Sequence, residues 1–322
     1  MAALRRLGRS DIEITRIGLG CWQFSQGKLS SGAYWPELPD AVTDEIVAVS
    51  LRGGINWFDT AEAYGFGASE RGLSRSLRAA GRANGDVRVA TKWFPLARTA
   101  GSIRRSIDER LACLHPFEID LYQIHQPIAL ATVGAQMDAM ADIADAGKIR
   151  TVGVSNFSAS RMRAAHAALA KRERPLVSNQ VKYSLLDRRI ESNGVMAAAK
   201  ELGITIIAYS PLEQGLLSGK FHDDPALVRG ARWTRRMRGG LSDRAIARTR
   251  PVIDAVKEIA AAHGATPSQV ALAWLASFHG DTVVVIPGAT KTRHAEENVG
   301  ALDLALSVKE CARLDDVSRA VG

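Results

Sequence analysis

Eight short apolar runs recur along this chain, and after each one the spacing of apolar residues changes from that of a strand to that of a helix. The runs are "RIGLG" (16–20), "GINWFD" (54–59), "VRVATK" (87–92), "IDLYQIHQ" (119–126), "RTVGVSN" (150–156), "PLVSNQ" (175–180), "ITIIAYS" (204–210) and "TVVVIPG" (282–288). Their length and their β-branched content are those of strands. The stretches between them carry apolar residues three and four apart; in "SIRRSIDERLACL", Ile103, Ile107, Leu111 and Leu114 form one stripe. Strands apolar enough to be covered on both faces, alternating with helices eight times, predict an α/β fold. A closed (β/α)8 TIM barrel suits that count better than an open doubly wound sheet.

The 322 residues are enough for such a barrel, and no Pro/Gly/Ser linker or composition shift divides them, so one domain over residues 1–322 is expected. Ahead of the first run, "LRRLGRSDIEIT" (4–15) places a turn between two β-prone pieces. That predicts an N-terminal β-hairpin able to plug the barrel floor. The longest gap in the alternation, from Pro211 to about Arg248, follows the seventh strand and predicts a long βα loop of the kind that tends to carry function. With 46% hydrophobic residues and no run of about 18 apolar ones, the chain does not read as membrane-spanning. "MAALRRLGRSDIEITRIGLG" lacks a signal peptide's apolar core, which makes the cytoplasm the expected compartment. Cys21, Cys113 and Cys311 are odd in number and far apart, without metal-ligand spacing, so neither a disulfide framework nor a metal site is expected. The net charge of +8 is concentrated in residues 228–250. That segment reads as a solvated loop and helix start from which Arg229 or Arg232 could reach a bound anion, and not as a nucleic-acid site, because no stacking residues interleave the arginines. Oligomeric state leaves no mark in the sequence.

In a barrel of this kind the reactive residues sit at the C-terminal ends of the strands and in the loops that follow. Those positions hold Asp59 with Tyr64 just beyond it, then Lys92, His125, Ser155 with Asn156, Asn179 with Gln180, and Tyr209. The grouping has a chemical logic. A tyrosine titrates near pH 10 and exchanges protons poorly at neutral pH unless a cation favours its phenolate. Lys92 would be that cation, Asp59 would keep it charged, and His125 could hydrogen-bond a substrate oxygen or the tyrosine hydroxyl. Such a set polarises and protonates a carbonyl oxygen, while the carbon needs a nucleophile that no residue of the rim supplies; a cofactor hydride fits. The competing reading is a Schiff base on Lys92, as in aldolases. Glu62 has no part in this scheme and reads as a solvated turn residue.

Taken in order, these segments resemble the aldo-keto reductases over nearly the whole chain. "FDTAEAYG" looks like the family signature with Asp and Tyr, "ATK" its lysine, "DLYQIHQ" its histidine, and "GKIRTVGVSNF", "NQVKYSLL", "AYSPLEQGLLSGK" and "IPGATKTRHAEENVGA" its cofactor segments. The resemblance implies a tetrad of Asp59, Tyr64, Lys92 and His125, with Tyr64 as the general acid, reducing an aldehyde or ketone with NADPH. Some relatives act as channel-associated subunits, so a non-catalytic NADPH-sensing or interaction module is a further alternative. Ser155, Asn156 and Gln180 would hold the nicotinamide amide and Tyr209 would stack on its ring. Ser210, Leu212, Gly215, Leu217 and Lys220 would meet the pyrophosphate. Gly288, Thr290, Lys291 and Arg293, with His294 where an arginine or glutamine is common, would surround the 2′-phosphate, and Glu297 and Asn298 the adenine. The helix expected from near Thr292 would add its N-terminal dipole. Trp22 is expected beside both cofactor and substrate, and Trp93 and Gln126 in the substrate pocket, under a long first loop that includes Trp35.

Overall fold

The computed structural model describes residues 4–27, 37–230 and 241–321. The chain opens with an antiparallel hairpin of β1 (Leu4–Arg6) and β2 (Glu13–Thr15). Eight strands then follow in one sheet: β3 (Leu19–Gly20), β4 (Trp57–Asp59), β5 (Arg88–Trp93), β6 (Leu121–Ile124), β7 (Thr151–Ser155), β8 (Leu176–Lys182), β9 (Thr205–Tyr209) and β10 (Val283–Val285). Each pairs in parallel with the next. Bridges from Ile17 to Val285 and from Gly20 to Gly288 join the last strand to the first, and the Gly18 N–H donates to the Val285 carbonyl at 2.8 Å. The ring is thereby closed without an open edge. β3, β4 and β10 are shorter than the apolar runs that predicted them.

Helices cover the ring: α1 (Asp40–Arg52), α2 (Ala68–Ala79), α3 (Gly101–Leu114), α4 (Val133–Asp145), α5 (Ala159–Ala170), α6 (Val195–Leu202), α7 (Asp243–Ala262), α8 (Pro267–Ser277), α9 (Thr292–Asp303) and α10 (Val308–Arg319). Several begin as their sequences dictate. Thr266 caps α8 in a reciprocal bond with Gln269 and Pro267 takes the first helical position, where no N–H is missed. On α3, Ile103, Ile107 and Leu114 are buried as the stripe predicted, and Cys113 is buried beside them. All three cysteines are free. Among the described residues no helix is long and apolar enough to cross a membrane.

The core lies in two layers. The larger one fills the space between sheet and helices; the smaller fills the barrel with Trp57, Ala90, Leu121, Val177, Ile207, Val284 and Ile286. Leu7, Ile12 and Ile14 of the hairpin join the inner layer, so the hairpin does plug the floor. Gly8 makes the close approach possible: at φ +55° it donates its N–H to Thr205 Oγ1 at 2.7 Å, and a Cβ there would stand 2.4 Å from the Val177 carbonyl oxygen. The segment after β9 is less bare than the long loop expected. It holds a 3-10 run, Glu213–Ser218, two helical turns at Lys220–Asp223 and Ala226–Gly230, and the start of α7 at Asp243. Residues 28–36, with Trp35, and 231–240, with Arg232, lie outside the described residues.

Candidate active site

Side chains on a strand alternate, so β5 turns Ala90 and Lys92 inward and Val89, Thr91 and Trp93 toward the helices. With the floor filled by apolar groups, the inward positions at the other end carry Asp59, Lys92, Gln123 and Gln180. Asp59 and Lys92 are almost wholly buried. Lys92 Nζ donates to Asp59 Oδ1 at 2.5 Å and to the Thr60 carbonyl at 2.8 Å. The second carboxylate oxygen accepts from Gln180 Nε2 at 2.8 Å and from Gln123 Nε2 at 3.2 Å. A buried ion pair is tolerated only when its remaining lone pairs are satisfied, and here two amides do that. Tyr64 Oη lies 3.5 Å from Lys92 Nζ, and the ammonium sits 5.0 Å from the centre of the tyrosine ring.

Tyr64 reaches that point from a tight turn. Gly65, Phe66 and Gly67 all have positive φ, and a Cβ on Gly67 would stand 3.0 Å from Cys113 Sγ. The Ser69 hydroxyl anchors the turn to the first strand by donating to the Cys21 carbonyl at 2.6 Å. The Tyr64 ring meets His125 edge-on at 5.6 Å, and Phe94 meets the same imidazole at 5.7 Å.

Burial dominates the electrostatics. It raises the Tyr64 phenol above its usual 10, and the nearby Lys92 charge offsets only part of the rise. Burial thus favours the protonated phenol, while Lys92 works in the other direction and favours the phenolate. For Lys92, burial alone would lower the ammonium, but Asp59 and then Tyr64 more than reverse it, leaving it above 10.5. Burial, followed by the Lys92 charge, lowers His125 to about 3, so the ring is neutral. Its Nδ1 has no hydrogen-bond partner among the described residues.

From this corner a cleft of about 1690 Å³ runs across the rim. Trp22, Tyr64, Phe94, His125 and Gln126 line it, as do Ser155, Asn156, Gln180 and Tyr209, and Ser210, Leu212, Gly215 and Lys220. Gly288, Thr290, Lys291, Arg293, His294, Glu297 and Asn298 also line it. Asn156, at φ +60°, accepts from the Tyr209 hydroxyl at 3.0 Å and donates to Ser155 Oγ at 3.1 Å. Because Gln180 spends its amide nitrogen on Asp59, its oxygen is the atom it can offer a ligand amide. His294 Nδ1 accepts from the Thr290 N–H at 3.3 Å. Burial, then the charges of Lys220, Arg293 and Lys291, lower its imidazole to about 4.

A dinucleotide suits this lining. Three cations gather where a phosphate would sit, and two buried amide atoms, Gln23 Oε1 and Asn298 Nδ2, have no protein partner among the described residues.

Four expectations fail in detail. Trp93 does not line the cleft: strand alternation turns it outward, fully buried, where its Nε1 donates to Ser102 Oγ at 3.2 Å. Phe94, one residue on, takes the wall instead. Leu217 is also off the cleft, fully buried in the larger core, because the 3-10 turn rotates it away from the face that exposes Gly215. Glu62 is not a solvated turn residue; it is paired with Arg98 at 2.7 Å. Arg229 is exposed and does not border the cleft. Gln123 was missed, although its place two residues before His125 on an inward-facing register was a readable signal.

Comparison with known proteins agrees over most of the chain. The model of the Aldo/keto reductase family matches residues 16–319. An uncharacterized oxidoreductase of Mycobacterium tuberculosis is 39% identical over 310 residues, spanning 96% of this chain and 90% of its own. The Schizosaccharomyces pombe protein named aldo-keto reductase yakc, NADP(+), is 30% identical over 333 residues, spanning 99% and 93%. The crystal structure of a thermostable aldo-keto reductase in complex with the inhibitor epalrestat matches with a TM-score of 0.75 at 30% identity, covering 98% of this chain and 99% of that one.

Proposed function

This chain belongs to the aldo/keto reductase family of carbonyl oxidoreductases, and on that premise we propose that it reduces aldehydes or ketones to alcohols with NADPH, Tyr64 giving the proton. NADPH, when bound by the residues that line the cleft, would supply the hydride for the carbonyl carbon. The rest of the chemistry falls to side chains. The carbonyl oxygen, gaining negative charge, takes the Tyr64 proton, and Lys92 stabilises the phenolate left behind. Asp59 holds Lys92 charged and in place. Neutral His125 can donate a hydrogen bond to the carbonyl oxygen without itself becoming an ion.

The observation that carries the proposal is the Asp59–Lys92–Tyr64 chain, 2.5 Å and 3.5 Å, at one end of a cleft that also holds Lys220, Lys291 and Arg293. The same chain weighs against a Schiff base on Lys92, which needs a neutral amine, whereas this one is bonded to a carboxylate and a carbonyl. Ser155, Asn156, Gln180 and Tyr209 would hold and stack the nicotinamide. Lys291 and Arg293 would take the 2′-phosphate, with His294 as a neutral donor in place of a third cation.

The test is NADPH oxidation with 4-nitrobenzaldehyde, with NADH run alongside. Tyr64→Phe is expected to lose at least about 100-fold in kcat while still binding NADPH. Full turnover by that variant would remove Tyr64 from its role, and tight NADPH binding with no turnover on any carbonyl would favour a cofactor-sensing module.

A further inference from the structure

Glu62 lies between Asp59 and Tyr64 in the chain, yet its side chain points elsewhere. Its Oε2 accepts the Phe94 N–H at 3.0 Å and its Oε1 accepts Arg98 Nη1 at 2.7 Å. Its backbone is engaged as well: the N–H donates to the Lys92 carbonyl at 3.2 Å, and the carbonyl accepts the Gly67 N–H at 3.2 Å, closing the turn that carries Tyr64. Arg98 extends the connection. It donates to the Phe94 carbonyl at 3.1 Å and to Ser102 Oγ at 3.1 Å, and its guanidinium lies 5.3 Å from the Trp93 ring. Its own carbonyl accepts the Leu130 N–H at 2.9 Å, and Leu96 bridges Ala129. One carboxylate thus ties the loop after β4 to the loop after β5, which is tied in turn to the loop after β6. Those loops carry Tyr64, Phe94 and the residues next to His125. Glu62 and Arg98 are each about three-quarters buried or more, where an ion pair is screened less than on an open surface.

We infer that Glu62 and Arg98 are positioning residues for carbonyl reduction, fixing the distance from the Tyr64 hydroxyl to the Phe94–His125 wall against which the carbonyl is held. The inference rests on the proposed role of Tyr64. Removing the carboxylate would leave the Phe94 N–H without its acceptor and the guanidinium without its counter-charge, and free the three loops to move apart. A reaction that depends on near-contact geometry is sensitive to such a change.

The test uses the full chain, NADPH and 4-nitrobenzaldehyde. Glu62→Ala is expected to lower kcat roughly 10- to 100-fold with NADPH affinity unchanged. Glu62→Gln, which keeps an oxygen for the Phe94 N–H, should fall less. Combining Glu62→Ala with Arg98→Met should cost less than the sum of the two single changes, because both remove the Glu62–Arg98 connection. Hydrogen exchange gives a readout independent of turnover: in Glu62→Ala the amides of Phe94, Leu130 and the 64–68 turn should speed up together. A lowered melting temperature with full kcat measured well below it would overturn the inference, and so would faster exchange confined to Phe94. Should the unmodified protein reduce no carbonyl, the proposed function fails while the exchange experiment still decides whether the three loops are coupled.

Discussion

His125 shows how far one buried side chain can be moved from its solution behaviour. With its titration lowered to about 3, it stays neutral through the range where free histidine protonates, so carbonyl reduction should show no step near pH 6.5 from this residue. The same shift bears on stability. The folded ring resists a proton that the unfolded ring accepts near 6.5; the contribution is therefore complete above 6.5 and is lost as pH falls toward 3, and His294, lowered to about 4, adds in the same direction. Urea midpoints are expected to drop between pH 6.5 and 4, and to drop less in a His125→Gln, His294→Gln variant; an unchanged slope would contradict two neutral rings. At this scale the sequence was most legible where strand ends name the residue, as for Asp59, Lys92 and His125. It was least legible where facing depends on geometry. Trp93 and Phe94 are adjacent aromatics with opposite destinations, and only the register of β5 separates them. Glu62 is a carboxylate in a turn, and its partner, Arg98, belongs to a different loop.

Among elements, α2, α3 and β5 meet at a buried ion pair that periodicity alone could not reveal. Glu70 on α2 accepts from Arg110 on α3 and from the Thr91 hydroxyl on β5 at 2.6 Å, and both charged groups are essentially unexposed. Burial, with the Arg110 charge offsetting part of it, already raises the Glu70 carboxyl to about 7, so without Arg110 it would take up a proton. Arg110→Met should therefore destabilise the fold by about 1–3 kcal/mol, more at pH 8 than at pH 6, and a Glu70→Gln, Arg110→Met combination should recover part of that; urea unfolding of the three proteins measures both. If Arg110→Met unfolds at the unmodified midpoint, the pair contributes nothing. The eight-fold alternation and the hairpin were readable because they depend only on spacing, and burial of one face is what that spacing encodes. The extents of β3 and β10 were not, because the first and last strands meet through isolated bridges, and how far a ladder continues across that closure is settled by the ring and not by either segment.

Taken whole, the molecule places the Asp59–Lys92–Tyr64 corner and its cation-lined segment in one cleft, one face of the barrel serving both. Lys291 and Arg293 lie at the start of α9, and exposed cations are weakened by salt. NADPH affinity should therefore fall with ionic strength more steeply than NADH affinity, and a Lys291→Ala, Arg293→Ala variant should lose at least about tenfold for NADPH with little change for NADH, as fluorescence titration would register. Equal losses for both cofactors would place the 2′-phosphate elsewhere. The seam that closes the ring has a consequence for the newly made chain. Residues 17–20 must pair with residues 285–288, so a growing chain holds its first barrel strand without its second neighbour until residues 285–288 have left the ribosome. Through that interval the partial sheet has two unpaired edges, and its core strands are the ones another chain could capture. The interval before residues 285–288 emerge, and not the making of any single helix, is when the barrel strands most need protection from neighbouring chains.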